Sequence, residues 1–145
     1  MSNLSPLEQL LLRVHNATYQ KTNGWIGHKV PGRAATLLLH TVGAKTGQPR
    51  TSALTYARDG DSYLIVASNA GVDRYPSWYH TLRKHPECEI NVGPKRFAVT
   101  ARRIIPDDAD YQRLWQLVNE NNANRYNGYQ SKTSRPIPIF ALTPN

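Results

Sequence analysis

The sequence predicts an antiparallel α+β domain whose roughly six strands could close into a small barrel. Two observations carry that prediction. Strand-length apolar runs come in pairs joined by hairpin turns, and stretches of helical period are inserted between the pairs.

Ser5-Pro6-Leu7-Glu8 is a capping-box signature with Pro at the first helical position, and Leu4, Leu7, Leu10, Leu11 and Val14 follow at helical spacing, so a first helix is expected near 5–20. Asn23-Gly24 and Pro31-Gly32 break that pattern and mark a linker. Strands are expected near 35–42, 50–58 and 62–68, the last two joined by Asp59-Gly60-Asp61, a strong hairpin signal. A loop over 69–75 precedes a helix-compatible stretch from Pro76 to His85, with Trp78, Tyr79 and Leu82 on one side and Pro86 ending it. Gly93-Pro94 turns a hairpin between strands near 88–92 and 95–104. Asp107, Asp108 and Asp110 suit a helix N-terminus, and Leu114, Trp115, Leu117 and Val118 give that helix its apolar face. Residues 137–142 read as a last strand, placed at an edge or a bulge by Pro138.

At 145 residues the chain fits one domain overall, divided as an N-terminal helix and linker over 1–30 and a barrel over 31–145. A single cysteine, Cys88, excludes an intramolecular disulfide and is too few for a cysteine-based metal site; in a strand it reads as inert core. The histidines His15, His28, His40, His80 and His85 lack metal-ligand spacing, so no metal is expected, and His80 is assigned a structural hydrogen bond. With no apolar run of spanning length or signal-peptide pattern, the expected compartment is the cytoplasm, with peripheral membrane contact left open through the leucine face of the first helix. The formal charge of +8 favours anionic partners, but scattered basic residues and the absence of a reader motif argue against nucleic acid.

The most informative stretch lies between the first two strands, where Gly43-Ala44-Lys45-Thr46-Gly47-Gln48-Pro49-Arg50 forms a basic turn flanked by glycine. Its glycines let the backbone turn tightly and expose N–H groups, Lys45 and Arg50 add positive charge, and Thr46 adds a hydroxyl. A phosphate is the anion such a turn suits. The Walker spacing is absent and no helix follows, so this is neither a P-loop nor a dinucleotide fingerprint; an ordinary hairpin with a basic tip is the alternative.

Four motifs occur together and in order: Thr41 to Arg50, Val66-Ala-Ser-Asn-Ala-Gly71, Pro76-Ser-Trp-Tyr-His80, and Tyr129-Gln130 with Thr133-Ser-Arg135-Pro-Ile-Pro138. From about residue 30 onward the set resembles the deazaflavin-dependent nitroreductase and quinone reductase family of actinobacteria, whose members bind reduced coenzyme F420 on an FMN-binding type of split β-barrel. The resemblance implies that Lys45 and Arg50 grip the phosphate of the cofactor tail, with Gly43, Ala44 and Thr46 in contact. It places Ser52, Ala53, Ala67, Ser68 and Asn69 beside the deazaflavin ring, with Trp78 and Tyr79 walling the pocket. Trp78 reads equally well as a core aromatic. Tyr126 and Tyr129, three apart, would share one face of a helical turn on the acceptor side and serve with Ser68 as the catalytic groups, a tyrosine near its usual pKa of about 10 remaining a proton donor.

The implied activity is hydride transfer from reduced F420 to a quinone, nitro compound or activated alkene, by a monomer or homodimer. Its rivals are an FMN- or haem-linked activity and a non-catalytic carrier of deazaflavin or fatty acid; FMN is the second choice of cofactor. Some relatives carry a basic residue at Ala44, a lysine at Asn69, an asparagine at Thr81 and an aromatic at Ala123, departures that loosen the anion grip and reshape the acceptor pocket.

Overall fold

The computed structural model describes residues 34–43 and 45–145, so the helix expected at 5–20 and its linker lie outside the described residues. Seven strands form one antiparallel sheet: β1 (Thr36–Val42), β2 (Pro49–Thr55), β3 (Ala57–Asp59), β4 (Ser62–Val66), β5 (Glu87–Val92), β6 (Lys95–Ile104) and β7 (Ile139–Pro144). Their spatial order is β2-β1-β5-β6-β7-β4-β3. The outermost strands, β2 and β3, are consecutive in the chain with only Tyr56 between them. Two peptide units reach at most about 7 Å, so the sheet must curl until its edges meet. The run expected as one strand over 50–58 is therefore two strands on opposite edges of the sheet. Tyr56 marks the break and donates its N–H to the carbonyl of Ala35 at 3.0 Å.

Helix α1 (Ser77–Lys84) follows a 3₁₀ turn at Asn69–Gly71; α2 (Tyr111–Asn121) and α3 (Arg125–Gln130) follow β6. Period-two alternation divides the buried side chains between two cores. On the inner face, Leu37, Leu39, Ile65, Ile90, Val99, Phe140 and Leu142 pack with Trp78, Tyr79 and Leu82 of α1. On the outer face, Leu64, Val66, Ile139 and Ala141 are covered by Tyr111, Leu114 and Val118 of α2 and by Tyr126 of α3. Each large apolar side chain fully buried here contributes about 1.5–3 kcal/mol. No helix among the described residues is long and apolar enough to cross a membrane.

One expectation changes and one holds. The last strand lies in the interior, paired with β6 on one side and β4 on the other. Pro138 precedes it, so the missing N–H costs no ladder bond, and its carbonyl accepts from Ala67 at 3.0 Å. The acidic residues of 107–110 lead into α2 as expected: Asp110 is its N-cap residue, and Asp108 accepts the N–H of Ile105 at 2.8 Å, shaping the entry to the helix.

Gly71, at φ +81°, is where the turn after β4 meets α3. A Cβ there would stand 2.8 Å from the carbonyl oxygen and 3.1 Å from the Cα of Tyr129. Both neighbours are backbone and cannot swing aside. Gly71→Ala is expected to destabilise the fold by at least about 1 kcal/mol, read as a lower urea midpoint; an unchanged midpoint would show that the turn can separate from α3 at no cost.

Candidate functional site

The predicted anion turn folds as the tip of the β1–β2 hairpin. Much of its backbone donor capacity is used internally: Gly43 donates to Gln48 O and Gly47 to Gly43 O, both at 2.8 Å, and Gln48 donates to the Thr46 hydroxyl at 3.3 Å. Expecting every glycine N–H here to face a ligand was therefore wrong, because closing so tight a turn consumes them. The charges remain available. Among the described residues neither Lys45 nor Arg50 forms a salt bridge, whereas Arg96, Arg102 and Arg113 are each paired with a carboxylate. A Cβ on Gly43 would come within 2.6 Å of Thr46 Oγ1 and 3.4 Å of Arg50 Nε, so only glycine lets Thr46 and Arg50 fold over the strand end.

A cleft of about 900 Å³ opens beside this tip. It brings Gly43 and Arg50 together with His40, Thr51, Thr81, His85, Cys88, Asn91 and Arg96. His40 organises its floor. Its Nε2–H donates to Asn91 Oδ1 at 2.6 Å, and Nδ1 lies 3.2 Å from the Thr51 hydroxyl, which can donate to the neutral imidazole. Burial pushes the pKa of His40 below its ordinary value, with the Arg96 charge adding to the effect. His80, to which a structural hydrogen bond was assigned, instead meets the rings of Tyr75 and Tyr79 edge-on. Cys88 is partly buried, and its thiol is pushed up to about 11 by burial, which keeps it protonated and inert.

The other predicted residues fall elsewhere. Ser52 pairs with Leu39 and so faces the inner core, while Ala53 pairs with Leu38 on the opposite face; the two side chains cannot border one side of a ring together. Ala67, Trp78 and Tyr79 belong to the inner core. Trp78 packs edge-on against Phe140, and the Tyr79 ring stacks on Tyr75 at 3.9 Å while its hydroxyl accepts from Arg103 at 2.9 Å. Asn69 uses its side-chain amide to hold the carbonyl of Arg74 at 3.2 Å. Ser68 is only 8% exposed, and among the described residues its hydroxyl makes no hydrogen bond. A buried hydroxyl without a partner is costly unless something else supplies one.

The two tyrosines separate by environment. Tyr126 is buried in the outer core, shares a hydrogen bond with the Asn122 side chain, and has its pKa pushed up to about 12 by burial, well above the ordinary value assumed from sequence. Tyr129 lies at the margin of that core, its ring 6.2 Å from the Tyr126 ring and its backbone against Gly71.

The sequence assigned no role to Arg135 or Gln130, although both lie within a recognised motif. Gln130 donates to the carbonyls of Thr133 and Arg135 and accepts from Ile137 N–H, which pins the segment entering β7. Arg135 in turn reaches three carbonyls on the turn after β4. Arginine followed by proline in a polar loop is the only sequence signal for this, and it does not name a partner.

The curled antiparallel barrel places the chain in the split-barrel class of folds. Comparison with known proteins is specific about the family. The family profile for F420H(2)-dependent quinone reductase matches residues 11–144. An F420H(2)-dependent quinone reductase of Mycobacterium tuberculosis is 67% identical over 133 residues, covering 92% of this chain and 89% of that protein. A solved F420-H2 dependent reductase, FDR-A, is 32% identical with a TM-score of 0.66, covering 74% of this chain and 92% of its own. A pyridoxamine 5'-phosphate oxidase-related, FMN-binding protein of Nostoc punctiforme, 13% identical with a TM-score of 0.51 over 98% of this chain and 82% of its own, shares the fold. The chain belongs to the F420H(2)-dependent quinone reductase family: it is an F420H2-dependent oxidoreductase acting on quinones, with coenzyme F420 as its cofactor.

The residues present fit that cofactor. A phosphodiester followed by glutamates is a polyanion, and among the described residues Lys45 and Arg50 form no salt bridge and the buried Ser68 hydroxyl makes no hydrogen bond.

The state of His40 yields a pH prediction. A histidine whose folded pKa lies below its ordinary value of 6.5 binds more protons when unfolded, so its favourable contribution is full above 6.5 and is lost as pH falls from there through the lowered folded value. The wild-type urea midpoint is expected to drop on acidification below 6.5 more steeply than that of His40→Gln. Parallel pH profiles for the two proteins would refute the assignment.

Proposed function

We propose that Lys45 and Arg50 hold the phosphate of F420, that Ser68 and the backbone of Ala67 and Asn69 border its ring, and that Tyr129 serves the acceptor. The observation that carries this reading is that, among the described residues, the buried Ser68 hydroxyl has no partner and the cations of the β1–β2 tip form no salt bridge. Bound reduced F420 supplies a hydride from carbon, which favours two-electron reduction of a quinone.

This chain's own residues then bind, orient and protonate. Arg50 emerges from β2 beside the cleft and Lys45 stands exposed at the tip, so together they offer a fork and a mobile point charge to one anion. Ser68, only 8% exposed, donates or accepts one hydrogen bond at the ring. Tyr129 is the better placed acceptor-side phenol, because Tyr126 is committed to the core and to Asn122. Nitro compounds and activated alkenes are electrophiles open to the same chemistry, and the small, exposed Ala123 leaves room on that side.

Replacing both Lys45 and Arg50 by alanine is expected to raise the F420 dissociation constant by about one to two orders of magnitude, since each charge-assisted bond contributes roughly 1.5–3 kcal/mol. A fluorescence titration indistinguishable from wild type, on folded protein, would sink the clamp.

Ser68→Ala separates a ligand role from a folding role. Deleting an unpartnered buried hydroxyl leaves stability unchanged or slightly raised, whereas losing a bond to the ring weakens F420 by about threefold to tenfold. Tyr129→Phe, measured beside it at saturating cofactor, is expected to keep F420 affinity and lose about 100-fold or more in single-turnover rate with a soluble quinone if its hydroxyl is the proton donor. Unaltered binding in the first variant and unaltered rate in the second would remove these residues from the site.

A further inference from the structure

Three successive residues of the turn after β4 have positive φ: Asn69 at 45°, Ala70 at 55° and Gly71 at 81°. Only the last is glycine. Non-glycine residues in this region persist when the surroundings over-determine them, and such turns are found disproportionately at ligand clamps. Local bonds from Asn69 and Gly71 close this turn, and one long-range side chain ties it to the rest of the fold. Arg135 donates from Nη2 to Ser68 O at 2.8 Å, from Nη1 to Ala67 O at 3.2 Å and from Nε to Val72 O at 3.1 Å. Its guanidinium carbon also lies 4.6 Å from the centre of the Tyr75 ring, which stacks on Tyr79 of α1. The arginine is itself held from behind, since Gln130 of α3 accepts Ile137 N–H and donates to Arg135 O at 2.8 Å. One rigid planar fork thus joins the turn that carries Ser68, the aromatic stack leading into α1, and the helix that carries Tyr129.

We propose that Arg135 is the positioning residue of the site: its guanidinium locks the 67–72 turn in the one arrangement that presents Ser68 to the cofactor while Tyr129 stands against the same turn. The inference rests on the placement of the ring beside Ser68. Lysine cannot substitute, because a point ammonium on a flexible stem does not span three carbonyls in a plane. Nor does Arg135 belong to the anion clamp. Three of its five N–H donors are held by backbone carbonyls of the 67–72 turn, and it is not part of the β1–β2 tip, so its loss leaves Lys45 and Arg50 in place.

The test compares Arg135→Ala and Arg135→Lys with wild type in the full chain. Without cofactor, backbone hydrogen exchange is expected to quicken at Gly71 and Val72 in both variants while the strands stay protected. With F420, the dissociation constant rises by no more than about the threefold to tenfold expected of Ser68→Ala, because the clamp persists. The single-turnover rate with a soluble naphthoquinone at saturating F420H2 falls by about 100-fold, the scale of a misplaced reacting group. Added guanidinium ion restores rate and exchange protection to the alanine variant, which a general loss of packing would not allow.

Unchanged exchange, or an unchanged single-turnover rate, overturns the proposal; so does a full rate in Arg135→Lys. Should the alanine variant fail to fold, the lysine variant decides alone. Ser68→Ala distinguishes the two levels of argument. If F420 binds that variant normally, the ring placement fails and the proposal falls with it. If Ser68→Ala weakens binding while the Arg135 variants keep their rate, only the lock is wrong.

Discussion

A sheet whose two outermost strands are separated by one residue cannot stay open, and that closure governs the rest of this structure. Tyr56 carries the chain from β2 on one edge to β3 on the other, so the strands between must curl into a barrel. The curled sheet has an interior too large for its own side chains alone. Helix α1 fills it with Trp78, Tyr79 and Leu82, and so these aromatics are core before they are anything else. Closure also leaves the β1–β2 tip projecting beside the cleft, where charge can remain unpaired and wet.

Polar groups divide sharply by whether the fold satisfies them. Tyr111 donates to Ile137 O at 2.6 Å, and Asn119 bonds Trp115 O and Asn127 N, which interlocks α2 with α3. His40 is satisfied on both nitrogens. The exposed Arg96, Arg102 and Arg113 have carboxylate partners in pairs that contribute little to stability. Among the described residues Lys45 and Arg50 form no salt bridge and the Ser68 hydroxyl makes no hydrogen bond. A protein that binds a polyanionic cofactor needs such a remainder.

The turn after β4 is built on a different principle from the cores. Its backbone conformation is costly, and apolar burial does not hold it; hydrogen bonds from Arg135, Asn69 and Gly71 do. Directional bonds fix geometry more tightly than they add stability. That division suits a binding edge, whose job is placement, while the apolar cores carry the free energy of folding.

The sequence by itself determined most of the local structure. Period-two runs gave β1, β4, β5 and β6, Asp59-Gly60-Asp61 and Gly93-Pro94 gave their hairpins, and apolar spacing gave α1 and α2, because hydrophobic periodicity and turn chemistry act over a few residues. The motif set was enough to point to the cofactor family. Tertiary structure alone decided the remainder. A break at Tyr56 has no local signature, since it is imposed by where each half of the 50–58 run finds a partner. Pro138 suggested an edge strand, yet β7 is interior because the proline stops just short of the ladder. Ser52 and Ala53 were grouped by adjacency and parted by the pleat. Tyr126 and Tyr129 looked equivalent at a spacing of three until packing buried one against Asn122 and left the other at the margin. The partners of Arg135 lie more than sixty residues away, and a side chain's long-range hydrogen bonds are set by closure of the barrel, which no local pattern encodes.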